Sequence, residues 1–250
     1  MRVTSISALG TVAQTVAAVD LNIASTGGYP LSPIQYGLIF EDINNSGDGG
    51  IYAELVQNRA FQNATIPPWT GVNGASLTIG NTNGLSPQLP NYVTVSGGDG
   101  TSGLVNPGYY GISVQPQTYT GQFWVRGDYT GDFTVSLLSN LTGEVFINET
   151  VKGPSTADEW TQFNFTLNPP TAAPNSNNSF SVTFDSSMAK DGSLDFDLLS
   201  LFPPTYNNRP NGMRPDIMKI LGDQPPSFLR FPGGNNLEGS EFQLPHSPGV

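Results

Sequence analysis

Residues 34–42 read Ile-Gln-Tyr-Gly-Leu-Ile-Phe-Glu-Asp, a short apolar run that ends at two adjacent carboxylates. An apolar run of this length bounded by turn residues is typical of a buried strand. A glycine-rich stretch, residues 44–50, follows at once and favours a loop. We therefore predict a buried strand that presents Glu41 and Asp42 at its carboxyl end.

The region from 63 to 202 has a different pattern, in which many short apolar or alternating runs are separated by Gly, Pro and Asn. Regular short strands of this kind indicate an antiparallel β-sandwich or jelly roll, and about 140 residues suffice for an independent core. The predicted strands cover residues 92–95, 110–114, 122–125, 133–138, 145–147, 162–167, 180–184 and 194–202.

Helices are predicted on both sides of this strand-rich region. Before it, the spacing of apolar residues in 51–56 predicts a short helix running toward Phe61. After it, Pro215 in a first turn and Gly222 at the end bound a helix. One apolar face of that helix is formed by Met213, Ile217, Ile220 and Leu221. Residues 227–231 then predict a second strand.

The outer segments together give the order strand, excursion, helix, strand, which matches the opening of a parallel (β/α)8 barrel. We predict a multi-domain α+β chain in which the sandwich is inserted after the first strand of a barrel. The barrel is truncated, because two strands cannot close an eight-stranded barrel. The predicted divisions are a signal peptide at 1–18, barrel segments at 19–62 and 203–239, the sandwich at 63–202, and an irregular tail at 240–250.

Composition excludes several classes of function. The net charge is −11 and no Lys/Arg cluster occurs, so a nucleic-acid partner is not expected. The absence of Cys and the single residue His246 leave no disulfide, no thiolate metal site and no histidine-based triad. We expect no cofactor and no metal, and chemistry based on carboxylates, amides, Arg and Tyr.

The amino terminus and six Asn-x-Ser/Thr sequons favour a secreted glycoprotein without a membrane span. Residues 1–18 carry one basic residue, an apolar stretch and small residues before a cleavage point, although a disordered N-terminus is the alternative. The sequons begin at Asn44, Asn63, Asn140, Asn148, Asn164 and Asn177, and the last five are the glycosylation candidates. In a chain so rich in Asn, Ser and Thr, several sequons would also arise by chance.

Four long motifs carry a resemblance to a known family. They are residues 36–44 (Tyr-Gly-Leu-Ile-Phe-Glu-Asp-Ile-Asn), 49–61, 202–213 and 228–239 (Phe-Leu-Arg-Phe-Pro-Gly-Gly-Asn-Asn-Leu-Glu-Gly). In this order they resemble the N-terminal part of fungal α-L-arabinofuranosidases of glycoside hydrolase family 51. The resemblance runs from about residue 29 to 239 and does not extend into 240–250, where either a fragment ends or residues foreign to the fold begin.

The resemblance implies a secreted retaining exo-glycosidase that removes arabinofuranosyl groups from plant cell-wall polysaccharides such as arabinoxylan and arabinan. A retaining mechanism needs two carboxylates about 5–5.5 Å apart. In the family both catalytic glutamates lie on later barrel strands, the acid/base within an Asn-Glu pair. The Asn-Glu pair of this chain, Asn148-Glu149, falls inside the sandwich, so no catalytic residue is assigned in this chain.

The resemblance assigns the substrate-binding role to Glu41, Arg230 and Asn235. They match family positions at the ends of the first two barrel strands that contact arabinose hydroxyls. The carboxyl ends of barrel strands are also where such enzymes gather active-site groups. From the residues alone, Glu41 could instead be a surface acid with Arg230 as its structural ion-pair partner.

Other polar and aromatic residues admit two readings. Asp48, Glu54, Arg59 and Glu238 lie within the motifs, and structural roles are favoured for them. Trp69, Trp124 and Trp160 could form a sugar-stacking platform, as in carbohydrate-binding modules, but core packing is favoured. The alternative functions are accordingly a carbohydrate-binding sandwich module or an inactive structural remnant.

Overall fold

The computed structural model describes residues 21–231 except 24, 43 and 99, and β-strands dominate it. In chain order the strands are β1 (Leu38–Ile39), β2 (Thr70–Val72), β3 (Ser76–Gly80), β4 (Tyr92–Ser96), β5 (Thr101–Asn106), β6 (Tyr119–Arg126), β7 (Phe133–Ser139), β8 (Val145–Val151), β9 (Thr161–Leu167), β10 (Asn178–Asp185), β11 (Ser193–Phe202) and β12 (Leu229–Arg230). The α-helix of the described residues, α1, spans Pro215–Asp223. No helix in this part of the chain is long and apolar enough to cross a bilayer.

Ten of these strands form two antiparallel five-stranded sheets, which pack as a β-sandwich. The first sheet has the order β2-β5-β10-β7-β8 and the second the order β3-β4-β11-β6-β9. Successive strands mostly alternate between the sheets, so long-range pairing holds the sandwich together. This observation confirms the predicted antiparallel sandwich.

Strand β9 explains why these sequences form two-faced strands. In its sequence, Thr-Gln-Phe-Asn-Phe-Thr-Leu, Phe163, Phe165 and Leu167 are buried while the polar residues between them are exposed. Successive side chains of a strand point to opposite faces, so this alternation directs both phenyl rings into the core. Phe165 stacks on Phe180 of the opposite sheet with ring centroids 5.6 Å apart. The core is therefore an aromatic layer supplied by both sheets.

Glycine permits a close strand contact at position 121. A Cβ atom at Gly121 would collide with the Ser200 carbonyl and the Phe165 ring. Strands β6 and β11 can therefore approach with the Phe165 ring above them only because residue 121 has no side chain.

The predicted strands were correct except for residues 110–114. Gly111 adopts φ +82° there, and the segment forms a loop in which Ile112 is buried while Tyr110 is 75% exposed. Three strands, β2, β3 and β5, were not predicted, because Gly, Ser and Thr make up much of their sequence. Weakly apolar strands give little periodic signal before their partners are known.

The predicted helix near Phe61 is wrong. The Ala53 N–H donates to the Gly212 carbonyl at 3.1 Å, and the Leu55 N–H donates to the Leu201 carbonyl at 3.0 Å. These backbone groups thus bond to distant segments instead of to a helical turn. Phe61 itself has φ +50°, which a right-handed helix excludes.

Strands β1 and β12 pair in parallel, and α1 lies between them in the chain. Leu38 pairs with Leu229, and Ile39 pairs with Arg230. The strands are shorter than predicted, and the expected burial is not found: Ile39 is 50% and Leu229 62% exposed. A two-stranded sheet has two open edges, and the described residues do not cover its faces. Pro215 lies in the first turn of α1 as predicted, but Met213 lies before the helix and bridges to Tyr52 instead, and Gly222 lies within the last turn.

A carboxyl group is buried within the sandwich. Asp197 of β11 is fully buried, and its Oδ1 accepts a hydrogen bond from the Leu198 N–H at 2.7 Å. Its Oδ2 has no hydrogen-bond partner among the described protein groups. Burial raises the pKa of Asp197 to about 7, and the Leu198 hydrogen bond opposes that shift only in part. The folded protein therefore favours the neutral form of this carboxyl group.

We expect the contribution of Asp197 to stability to depend on pH. Because its pKa is higher in the folded than in the unfolded chain, the folded state binds the extra proton, and stability falls as pH rises from about 4 toward 7. An Asp197→Asn variant lacks this titration. Urea unfolding at several pH values should show the wild type losing more stability than the variant over that range. Parallel pH profiles would contradict the assignment.

We also expect the sandwich to be the protease-resistant unit. Broad-specificity proteolysis followed by mass spectrometry should leave a fragment containing residues 70–202, whereas β1, α1 and β12 should be cleaved early, because exposed backbone opens at little cost. Equal resistance at residues 228–231 would show that the outer segments are protected in another way.

Candidate functional site

The parallel register brings two predicted site residues to the same edge of the small sheet. The Leu38 N–H donates to the Phe228 carbonyl at 3.0 Å, and the Phe40 N–H donates to the Arg230 carbonyl at 3.2 Å. Because Ile39 pairs with Arg230, Glu41 follows the same ladder two residues further on. Both residues therefore lie at the carboxyl ends of neighbouring parallel strands.

The two side chains differ in exposure and are not paired. Glu41 is half-buried, while Arg230 is exposed. Among the ion pairs of residues 21–231, none joins Glu41 to Arg230, so a structural ion pair between them is not found. The third predicted residue, Asn235, lies outside the described residues, as does Glu238.

The glycine-rich loop after Glu41 is held by local hydrogen bonds. The Ser46 hydroxyl donates to the Glu41 carbonyl at 2.5 Å, and the Gly47 N–H donates to Asp42 Oδ1 at 3.0 Å. Gly49 adopts φ +85°, and a Cβ atom there would enter the Tyr109 ring. The loop thus turns back on itself and packs closely against a tyrosine from a distant segment.

Beyond the loop, Glu54 connects the chain to the sandwich through its contacts with Val56, Leu201 and Arg59, which we call the Glu54 anchor. Its side chain is 1% exposed, and its Oε1 accepts hydrogen bonds from the N–H groups of Val56 at 3.0 Å and Leu201 at 2.8 Å. Oε2 lies 3.5 Å from Arg59 Nη1, which also donates to the Tyr52 hydroxyl at 3.1 Å. The structural roles predicted for Glu54 and Arg59 are confirmed by these contacts.

Burial shifts the acidity of two groups near this anchor. It raises the pKa of Glu54 to about 7, although the two backbone N–H groups and Arg59 favour the charged form. The pKa of Tyr109 rises to about 12, first because of burial and then because of Asp48 and Glu54. Tyr109 therefore stays a neutral hydroxyl that can donate a hydrogen bond.

Cavities lie on both sides of this anchor. One of about 590 Å³ is lined by Tyr52, Tyr109, Tyr110 and Arg214 among others, and one of about 600 Å³ by Asp48, Asn58 and Arg59. Glu54 and Tyr109 border both. No sequence pattern predicts a role for Tyr109, because its contact with Gly49 joins segments 60 residues apart. Glu54 already contacts two backbone donors and Arg59, so this carboxylate is a structural support.

The tryptophans do not form a shared platform. Trp69 is buried in the core, as the favoured reading predicted. Trp160 is half-buried against the Arg126 guanidinium, whose central carbon lies 4.9 Å from the ring centroid. The half-buried Trp124 has its indole Nε1 enclosed. The tryptophan rings therefore serve packing: Trp69 packs in the core and Trp160 packs against Arg126.

All six sequon asparagines are exposed, but their surroundings differ. Asn63 lies in a loop before β2, and Asn148 and Asn164 lie in β8 and β9. Asn140 Nδ2 donates to Asn177 Oδ1 at 3.0 Å, so these two side chains bind each other.

Comparison with known proteins gives a consistent set of relatives. No family model matches the chain. Alpha-L-arabinofuranosidase A of Aspergillus kawachii (strain NBRC 4308) is 42% identical over 246 residues, which cover 96% of this chain and 39% of the relative. The enzyme of the same name from Aspergillus niger is 41% identical with the same coverage.

A solved structure agrees with these relatives. The arabinose-bound MgGH51 α-L-arabinofuranosidase superposes with a TM-score of 0.76 at 41% identity, covering 86% of this chain and 36% of that one. This chain thus spans about two fifths of the length of the curated relatives it matches.

We expect the Glu54 anchor to be important for stability. Glu54→Ala leaves two buried N–H groups without an acceptor, at a cost of about 1–3 kcal/mol each, so chemical denaturation should show a loss on the order of 2–6 kcal/mol. Glu54→Gln keeps an oxygen at the Oε1 position and should lose much less. Equal effects of both substitutions would show that these backbone hydrogen bonds do not hold the segment.

Proposed function

We propose that this chain is the N-terminal portion of a fungal α-L-arabinofuranosidase of glycoside hydrolase family 51 and that it supplies the arabinose-binding side of such an enzyme. The proposed reaction is the retaining removal of terminal arabinofuranosyl groups from arabinoxylan, arabinan and related plant cell-wall polysaccharides. Hemicellulose degradation is the corresponding process.

One observation carries this proposal: because β1 and β12 pair in parallel, Glu41 and Arg230 both lie at the carboxyl ends of these two strands. A carboxylate accepts hydrogen bonds and a guanidinium donates them, so the two can bind different hydroxyls of one sugar ring. No ion pair between the two competes with that role in the described part of the chain. Asn235, five residues beyond Arg230 in the sequence, would add an amide to the same subsite.

The proposed setting is a (β/α)8 barrel of which β1 and β12 are the first two strands. Barrel enzymes place their active sites at the carboxyl ends of the strands, which is where Glu41 and Arg230 lie. In this arrangement α1 would be the first outer helix, and Ile217 and Leu221, which are half-buried here, would face the barrel. The sandwich would then be an insertion between the first strand and that helix.

The two catalytic glutamates are proposed to lie on later barrel strands, outside residues 1–250. Glu149 is exposed in β8 of the sandwich, far along the chain from the β1 and β12 strand ends. It borders a cleft lined by residues of β8 and β9 and by Lys152, without a second carboxylate. A retaining mechanism needs a pair of them, so Glu149 is not assigned a catalytic role.

Secretion is the proposed localisation. It rests on the sequence pattern of residues 1–18, which lie outside the described residues, and on sequons whose asparagines are exposed. Exposure is necessary for a mature protein to carry a glycan at these positions.

We expect the 250-residue chain alone to hydrolyse no aryl α-L-arabinofuranoside above the blank rate. Catalysis of the retaining kind needs both a nucleophile and an acid/base, and neither is assigned here. The measurement is release of the aryl group by the purified chain. Turnover that disappears in Glu149→Gln would contradict the proposal and place a catalytic carboxylate in the sandwich.

In a form of this protein that includes the remaining length of its relatives, we expect Glu41→Gln and Arg230→Ala each to lower kcat/KM. A lost charge-assisted hydrogen bond is worth about 1.5–3 kcal/mol, which is roughly ten- to a hundredfold in rate. If these contacts strengthen in the transition state, kcat should fall more than KM rises.

Glu149→Gln is the matched control, because it neutralises an exposed carboxylate of the sandwich. Its kinetics and the melting temperatures of all three variants should stay near those of the parent. Normal kinetics in both strand-end variants would remove Glu41 and Arg230 from the sugar subsite.

A further inference from the structure

Two long strands form the open edges of the sandwich on the same side. Among the strands of residues 21–231, β8 pairs only with β7 in the first sheet, and β9 pairs only with β6 in the second. The two edges lie next to each other, and a cleft of about 550 Å³ runs between them. An open edge exposes unpaired backbone N–H and C=O groups, which can pair with another chain.

The usual protection of an edge strand is weak here. Strand β9 has seven residues with no charge and no proline, and its seven-residue pairing with β6 has no bulge. Strand β8 has one charge, Glu149, and one register irregularity opposite Leu137 and Leu138. On the other side of the sandwich, the edge strands β2 and β3 are shorter, with three and five residues. The β8 and β9 edges are thus the ones that most need protection.

A sequon lies at the centre of each of these strands. Asn148 is the fourth of seven residues in β8, and Asn164 is the fourth of seven in β9. Each asparagine and its sequon threonine, Thr150 or Thr166, are exposed and lie two residues apart, so they share one face of the strand. Phe163 and Phe165 on the opposite face of β9 are buried, so Asn164 points away from the core.

We propose that N-linked glycans on Asn148 and Asn164 protect the two sandwich edges from pairing with another chain. A glycan is bulky and hydrophilic, and one at the middle of a seven-residue strand obstructs an incoming strand along its whole length. There is room for it at Asn164, which borders both the cleft between the edges and a polar groove of about 470 Å³ lined by Gln122, Asn208 and Arg209 among others.

The remaining sequons provide an internal contrast. Asn63 is exposed in a loop that belongs to neither edge. Asn140 also accepts a hydrogen bond from the Ser179 hydroxyl at 2.6 Å, besides its bond to Asn177. A glycan at Asn63 has no strand edge to shield, which makes that sequon the control.

This inference rests on the proposed secretion of the protein and is independent of the proposed arabinose subsite. In the test, a heterologous leader directs the chain into the secretory pathway. The 250-residue chain is produced in yeast behind a heterologous secretion leader and also, without glycans, in bacteria. The variants are Asn148→Gln, Asn164→Gln and their double variant, with Asn63→Gln and Thr166→Ser as controls. Thr166→Ser keeps the sequon.

Intact-protein and peptide mass spectrometry measure glycan occupancy, and size-exclusion chromatography after incubation at 37 °C measures loss of monomer. We expect glycans on Asn148 and Asn164 in the yeast product. The double variant should lose monomer faster than the wild type, while Asn63→Gln and Thr166→Ser behave as the wild type does. In the bacterial product the double variant and the wild type should aggregate alike, because neither carries a glycan.

Three results would overturn the proposal. One is a secreted chain without glycans at Asn148 and Asn164. Another is a double variant from yeast that keeps its monomer as well as the wild type. The third is a bacterial double variant that aggregates faster than the bacterial wild type, which would assign the effect to the asparagine side chains themselves. Glycan occupancy and loss of monomer do not depend on arabinose binding, so a failure of the proposed subsite would leave these results unchanged.

Discussion

The parallel pairing of β1 with β12 is the constraint on which the arrangement of this chain depends. Parallel strands cannot be joined by a hairpin, so the chain between them must cross from one end of the pair to the other. Here the connection contains the whole sandwich and then α1. The entropy cost of this long connection is small, because the sandwich folds around its own core of paired sheets and only short segments lead into and out of it.

The Glu54 anchor joins the segment that enters the sandwich to the strand that ends it. Strand β11 ends the sandwich, and its Leu201 N–H donates a hydrogen bond to Glu54, a residue shortly after the glycine-rich loop that follows β1. The isolated bridge between Tyr52 and Met213 adds a second contact between the segments before and after the sandwich. The chain entering the sandwich and the chain leaving it are thus held together, which brings the segments that carry β1 and β12 near each other.

Much of the sandwich could be predicted from the sequence, because burial on one face imposes an alternating pattern. Strand β9 illustrates this with buried phenylalanines at 163 and 165. Strands β2 and β5 escaped prediction, since their residues are small or polar and pairing alone determines them. The segment after Ile51 gave a false helical signal, because its backbone donors bond to Leu201 and Gly212, which no local pattern reveals.

For the candidate site, the motifs predicted Glu41 and Arg230 as site residues, but their exposure and their neighbours could be described only from the structure. Glu41 and Arg230 are separated by almost the whole connection, and only the register of two short strands brings them to one edge. The buried role of Glu54 was likewise predicted as structural, while its partners Val56 and Leu201 were not.

The most direct test of this account is to measure whether Glu41 and Arg230 are neighbours in solution. The chain has no cysteine, so Glu41→Cys and Arg230→Cys create a single thiol pair. A bis-maleimide with a spacer of about 10 Å should link the pair rapidly in the native protein and slowly in urea, since neighbouring strands lie only about 4.8 Å apart. If both thiols react with a monofunctional maleimide but no intramolecular link forms in the native protein, the parallel pairing is wrong.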